Sequence, residues 1–277
     1  MKNEESIEKH NKMKRNCPNC TVKEKNGNCP ISGSDGYPVQ CVGPWVEDKY
    51  YFLERYLNAS CEARRKFSDK GNAVYIDLYS GPGKCIIRDD QKEIDSGGIR
   101  AIKREEAPFN QYYYHDLSPE NIIAIKKRLT DDPRVHVEEG NSNELVKDLV
   151  AKLMLQHWRY HFAFVDPFGA EGLKFSALKS LAKLQRMDML INFPMGSIKR
   201  NIKAWMNKEN TILDHFLGTD AWRKRIKSNP EESVFNILLD VFKQQLTAIG
   251  YPEDGLKLAT SDKTVYLGLS TVGVKNT

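Results

Sequence analysis

The run Val74-Tyr75-Ile76-Asp77-Leu78-Tyr79-Ser80-Gly81-Pro82-Gly83 constrains this chain more than any other. Its β-branched and aromatic residues predict a buried central strand that runs into a glycine turn. Gly81 and Gly83 supply points where backbone can approach a ligand with no Cβ in the way. An acid at the strand's end, followed by such a turn, suits a nucleotide-like ligand at the carboxyl edge of a parallel sheet. Taken alone, the same residues also read as an ordinary tight turn with a capping Asp. The segments downstream weigh on that choice.

Gly43-Pro44 precedes a predicted helix over 45–65, with Trp45, Lys49, Phe52, Leu53, Tyr56 and Leu57 at three- and four-residue steps. Most of that stripe reads as packing against a sheet; a second reading turns Trp45 and Lys49 toward the ligand cleft. After the glycine turn, 85–94 reads as a charged loop, and Asp95-Ser96-Gly97-Gly98 opens a short helix. Strands follow over 111–116, 135–138, 161–169 and 187–194, separated by helices over 118–129, 143–157 and around 178–184. A basic helical stretch over 197–227, an amphipathic helix over 231–249, and a hairpin of 256–260 with 264–269 around Ser261-Asp262-Lys263 complete the chain. This alternation predicts a doubly wound, Rossmann-like α/β sheet, mostly parallel, with right-handed crossovers. Asp77, Asp116 and Gly140-Asn141 then end three strands and meet in one crevice. The turn lacks the G-x-G-x-x-G of dinucleotide dehydrogenases.

With 277 residues, 40% of them hydrophobic, the chain can bury one large domain and a small appendage. No apolar run approaches the roughly 18 residues of a membrane span. The polar N-terminus shows no signal peptide, so a cytoplasmic, reducing setting is expected. There, Cys17, Cys20, Cys29 and Cys41, four of the six cysteines, read as a metal site before they read as disulfides. Four thiolates suit tetrahedral zinc; an iron–sulfur cluster and unliganded thiols are the alternatives. Cys61 and Cys85 read as isolated buried thiols. The domain boundaries expected are 1–43 for a cysteine-rich, zinc-binding module and 44–277 for the Rossmann domain, with a basic helical region at 197–249.

Two motifs carry a family resemblance. Asp77-Leu78-Tyr79-Ser80-Gly81-Pro82-Gly83 looks like the first motif of class I S-adenosylmethionine-dependent methyltransferases, in the form used by amino-group enzymes. Asp166-Pro167-Phe168-Gly169 stands where those enzymes carry D/N-P-P-Y/F, and is similar to the D-P-F-G of tRNA guanine-N2 dimethyltransferases. Over most of its length the chain resembles the three-Cys-motif partner (TcmP) family, through G-P-W-x-x-x-K (43–49), I-D-L-Y-S-G-P-G (76–83), V-D-P-F-G (165–169), I-N-F-P (191–194) and F-L-G-T-D-A-W (216–222).

The resemblance implies S-adenosylmethionine bound by Asp77, Tyr79, Ser80, Gly81 and Gly83, with Asp116 on the ribose hydroxyls and Asn141 on the adenine amine. It implies Asp166, Pro167 and Phe168 at the reacting amine: Asp166 as its acceptor, Phe168 stacking on a flipped base. The long gap from Gly83 to Asp116 implies an inserted loop over the cleft. The family name implies a protein partner encoded nearby. Lys199, Arg200, Lys203, Arg223, Lys224, Arg225 and Lys227, with Trp205 and Trp222 among them, form a candidate phosphate footprint for RNA or DNA, and Lys12, Lys14, Arg15, Lys23 and Lys25 a second. The net charge of +5 is compatible with either. Asn192-Phe193-Pro194 reads as structural or as lining the substrate side. The expected activity is methylation of an exocyclic amine on a nucleic-acid base. The alternatives are a non-catalytic cofactor-binding partner, or a methyltransferase for a small molecule or protein.

Overall fold

A computed structural model of the chain describes residues 24, 26–129, 132–260 and 265–269. Its frame is a seven-stranded sheet. Strand β2 (Ala73–Asp77) is buried along its whole length. It pairs in parallel with β5 (Gln111–Asp116) on one side and β7 (Tyr160–Val165) on the other. Parallel β6 (Val135–Glu139) and β8 (Met187–Asn192) extend the sheet outward from these. Beyond β8 lie β10 (Val265–Leu269), antiparallel to both its neighbours, and then β9 (Leu256–Thr260). The order is β6-β5-β2-β7-β8-β10-β9, so the chain reverses its direction of travel across the sheet between β2 and β7.

Period-two alternation explains why β2 is apolar on both faces. Val74 and Ile76 join a core built with Leu149 of α5 (Ser142–Met154), Leu178 of α6 (Phe175–Leu181), Phe216 of α8 (Ile212–Leu217) and Phe242 of α10 (Val234–Ala248). Ala73 and Tyr75 face the opposite layer, with Leu53 of α1 (Val46–Ala59), Ala101 of α3 (Gly97–Ile102) and Ile125 of α4 (Pro119–Arg128). That second layer is aromatic: the Tyr75 ring lies 5.4 Å from Phe109, 5.8 Å from Tyr112 and 5.7 Å from Phe162.

Two expectations are corrected, and a third is resolved into its elements. The helix predicted over 45–65 is two, α1 and α2 (Cys61–Ser68), parted at Ser60. Arg64 holds the break: it is fully buried, donating from Nε to the Ala107 carbonyl at 2.7 Å and from its terminal nitrogens to Ser60 Oγ and the Leu57 carbonyl. The 85–94 loop is a hairpin of β3 (Lys84–Ile87) and β4 (Glu93–Asp95), completed as a small sheet by β1 (Gln40–Val42). Its charged turn hid the apolar positions Cys85, Ile86, Ile87 and Ile94, which are buried. The basic region is three helices, α7 (Met195–Trp205), α8 and α9 (Trp222–Ser228), before α10. Cys61 and Cys85 are buried as expected, and Phe193 packs edge-on to Phe216 and Phe242, a structural role. The turn Ser261-Asp262-Lys263 lies outside the described residues.

Replacing Arg64 with Met keeps the bulk and strands three acceptors. The expected cost is about 3 kcal/mol in urea unfolding, with the spectroscopic signature of the native state retained.

Candidate functional site

The reversal between β2 and β7 leaves a crevice beyond the carboxyl ends of the strands, because the crossovers on either side lead away in opposite directions. A cavity of about 570 Å³ occupies it. Asp77, Tyr79, Ser80 and Gly81 line it from the end of β2, Asp116 from β5, Asn141 from the loop after β6, and Asp166 and Phe168 from β7. Gly83 and Pro167 are not in the lining. Gly83 takes a left-handed turn (φ 92°) packed near Ile99 and Arg128, and Pro167 is buried beside Gly172.

Each acid has a different environment. Asp77 is buried and accepts one hydrogen bond, from the Tyr79 N–H at 3.1 Å. Burial, against that single bond, pushes its carboxyl up to about 7. Asp116 is saturated by comparison: Oδ1 accepts from the Ser118 N–H at 2.9 Å and Asn121 Nδ2 at 3.0 Å, and Oδ2 from the Gly81 N–H at 2.9 Å. Of the roughly four acceptor positions of a carboxylate, one remains, on Oδ2. Asp166 is held from both sides, by Lys49 Nζ on Oδ2 at 2.6 Å and by the Tyr266 hydroxyl on Oδ1 at 2.7 Å. Burial opposes the charge on Lys49 most strongly, but the Asp166 carboxylate, helped by Cys85 and Asp77, outweighs it and raises the ammonium's affinity for its proton. Lys49 thus faces the cleft; Trp45 is not in its lining.

The turn after β2 is less open than expected. The N–H groups of Tyr79, Ser80 and Gly81 already donate to Asp77, to the His115 carbonyl and to Asp116. Asn141 caps α5, and its Oδ1 accepts from both the backbone and the side chain of Asn143, so its amide nitrogen is the group left for a ligand. Ser96, whose buried hydroxyl has no partner among the described residues, also lines the cavity, with Asn26 and Gln40. The sequence pattern singles out none of these three for a ligand; Ser96 reads there only as part of a helix start. Phe168 stands 70% exposed at the mouth, its ring 3.2 Å from the position a Cβ on Gly27 would occupy.

Asn26 and Gln40 belong to the N-terminal segment, which forms one wall. Cys29 and Cys41 lie on its two paired arms: the Cys29 N–H donates to the Val39 carbonyl and the Cys41 N–H to that of Gly27. Cys17 and Cys20, and the basic residues Lys12, Lys14, Arg15, Lys23 and Lys25, lie outside the described residues. Among the described residues no three His, Cys, Asp or Glu side chains are grouped to hold a metal ion. In the basic region, Lys199, Arg200, Lys203, Lys224 and Lys227 are exposed. Arg223 is not free for phosphate, since it forms a bidentate pair with Asp214 at 2.6 and 2.9 Å; Trp222 is fully buried and donates to the same carboxylate.

The architecture is a Rossmann-like α/β sheet, mostly parallel, with β10 antiparallel in the penultimate position. Solved structures with similar folds include a putative methyltransferase, yhhF, from Escherichia coli (13% identity, 87% of this chain and 97% of that one, TM-score 0.42). Another is the N-methyltransferase NodS from Bradyrhizobium japonicum in complex with S-adenosyl-L-homocysteine (9%, 82% and 86%, 0.35). A third is an SAH-bound methyltransferase of Podospora anserina (14%, 95% and 95%, 0.37). These scores are low, and the fold rests on the strand order of this chain itself. No family model and no curated protein sequence matches the chain. No helix among the described residues is long and apolar enough to cross a membrane.

Asp77 gives a pH signature. Its native affinity for a proton exceeds that of an unfolded Asp, near 3.9. The stability this lends is complete below about pH 4 and is lost as pH rises through about 7. Between pH 5 and 7.5 the melting temperature of the ligand-free protein should therefore fall by about 5 °C more than that of Asp77→Asn, whose neutral amide removes the titration.

Proposed function

We propose that this chain binds S-adenosylmethionine and methylates an exocyclic amine of a nucleic-acid base. The observation that carries the reading is the convergence of Asp77, Asp116 and Asp166, from three adjacent parallel strands, on one cavity. The cofactor supplies an electrophilic methyl carbon on a sulfonium, a cation. The cavity suits a cation: four carboxylates, those three and Glu171, face a single ammonium, Lys49. Its volume lies within the ~300–1,000 Å³ range of small-molecule sites.

Each residue then has one task. Asp77, short of hydrogen bonds, accepts from the ammonium of the amino-acid tail, which offsets the cost of its burial. The Ser96 hydroxyl donates to the tail's carboxylate, a role the satisfied N–H groups of the turn do not fill. Asp116 accepts from one ribose hydroxyl at its open Oδ2 position, and Asn141 Nδ2 donates to the adenine ring. An exocyclic amine is a weak nucleophile because its lone pair is delocalised. Asp166 accepts an N–H from it and thereby localises that pair. Lys49 and Tyr266 fix the carboxylate's plane, and such positioning accounts for much of the barrier reduction. Phe168 offers an exposed ring for the base to stack on. Lys199, Arg200, Lys203, Lys224 and Lys227 offer the charge for phosphates.

A second reading draws on the same ion pair. Lys49 neutralises Asp166, which suits a partner protein that binds the adenosyl ligand without turnover. One pair of measurements separates the two. Asp166→Ala should leave the calorimetric affinity for S-adenosylhomocysteine within about threefold. It should lower methyl transfer to RNA or DNA by at least about a hundredfold. Wild-type protein that binds the cofactor and methylates neither nucleic acid would favour the partner reading.

We further propose that Cys17, Cys20, Cys29 and Cys41 hold one structural zinc ion. The pairing of the arms that carry Cys29 and Cys41 supports it, since the two cysteines stand on facing arms, one on each side of the Asn28–Gln40 pair. Metal analysis of freshly purified protein should return about one zinc per chain, and Cys29→Ser should lose it. Metal-free protein with an intact fold would rule the site out.

A further inference from the structure

The N-terminal segment is bonded to Ser118 and Asn121, the two residues that hold Asp116 Oδ1. Asn28, 2% exposed, donates from Nδ2 to Asn121 Oδ1 at 2.7 Å. Asn121, also buried, donates from Nδ2 to Asp116 Oδ1. The direction of this relay is not arbitrary. An ionised carboxylate only accepts, so Asn121 must turn its NH2 toward Asp116 and its oxygen toward Asn28, which must answer with NH2. Backbone pairing opposite Gln40 and a bond from the Asn28 N–H to Asn26 Oδ1 fix the first link. A second tie runs alongside, from Asn26 Nδ2 to Ser118 Oγ at 3.2 Å. Further along the segment, Arg128 clamps Asp35 with two bonds, at 2.8 and 2.9 Å, while it also donates to the Pro82 carbonyl of the glycine turn.

We propose that Asn28 is a positioning residue for the cofactor's ribose, acting through Asn121 on the rotation of the Asp116 carboxylate. The proposal rests on the adenosyl-binding reading above and assigns a role to the segment between the first two and the last cysteine. With Oδ1 held by Asn121 and Ser118, Oδ2 keeps its one open position for a hydroxyl. Without the relay, only the backbone N–H groups of Ser118 and Gly81 hold the carboxylate, and its plane is less firmly fixed. Asn28 therefore contributes to affinity through a hydroxyl it does not touch.

The test is calorimetry on the full chain with S-adenosylhomocysteine and with its 2′,3′-dideoxy analogue. Asn28→Asp is nearly isosteric and places an acceptor where a donor stood. Asn121 then turns its NH2 toward residue 28 and its oxygen toward Asp116. The expected result is about tenfold weaker binding of S-adenosylhomocysteine, with the analogue bound equally by variant and wild type. Asn121→Ala removes the donor to Asp116 directly and should give the same hydroxyl-dependent loss, so the claim does not depend on one variant folding. Equal losses for both ligands would mean that the segment is only a wall, and unchanged affinity would mean that the relay is idle; either overturns the proposal. Wild-type protein that binds neither ligand would instead remove the adenosyl-binding reading itself.

Discussion

The structure is governed by the need to keep three carboxylates ionised, or acceptably neutral, at the tips of buried parallel strands. Removal from water is costly for each, and each meets the cost differently. Asp166 has an ammonium and a phenol. Asp116 has three N–H donors, one of them from the glycine turn. Asp77 has a single N–H and takes on a proton more readily instead. These compensations tie together β2, β5, β7, α1 and β10, so the cleft is an obligation of the fold as well as an opening in it.

Much of this was legible in the sequence. Each of β2, β5 and β7 is a short run rich in β-branched and aromatic residues, and burial on both faces is what such runs require. The strand-ending acids could be read because their position along a parallel strand fixes which edge they reach. Other features depended on contacts distant in sequence. The Ser60 break is set by a guanidinium that answers to the Ala107 carbonyl, which no local pattern encodes. The β3–β4 hairpin was obscured by a run of charges at its turn. Arg223 and Trp222 looked like nucleic-acid residues until Asp214, part of the same small fold unit, was seen to claim both.

The loop expected over the cleft between Gly83 and Asp116 is instead ordered into the small sheet with β1. That sheet gives the N-terminal segment a partner, and through Gln40 and Asn26 the segment becomes part of the pocket wall. The cysteine-bearing arms are thus joined to the small sheet by backbone pairing and to Asn121, beside the end of β5, by a side-chain bond.

Strand β10 follows β9 in the chain, yet it sits between β8 and β9 and carries Tyr266 to Asp166. During synthesis, the sheet keeps an open edge at β8 until β10 is made. A chain cut before β10 would lack both that seal and one of the two groups that hold Asp166. Such truncated copies should therefore expose the β8 edge and be prone to self-association.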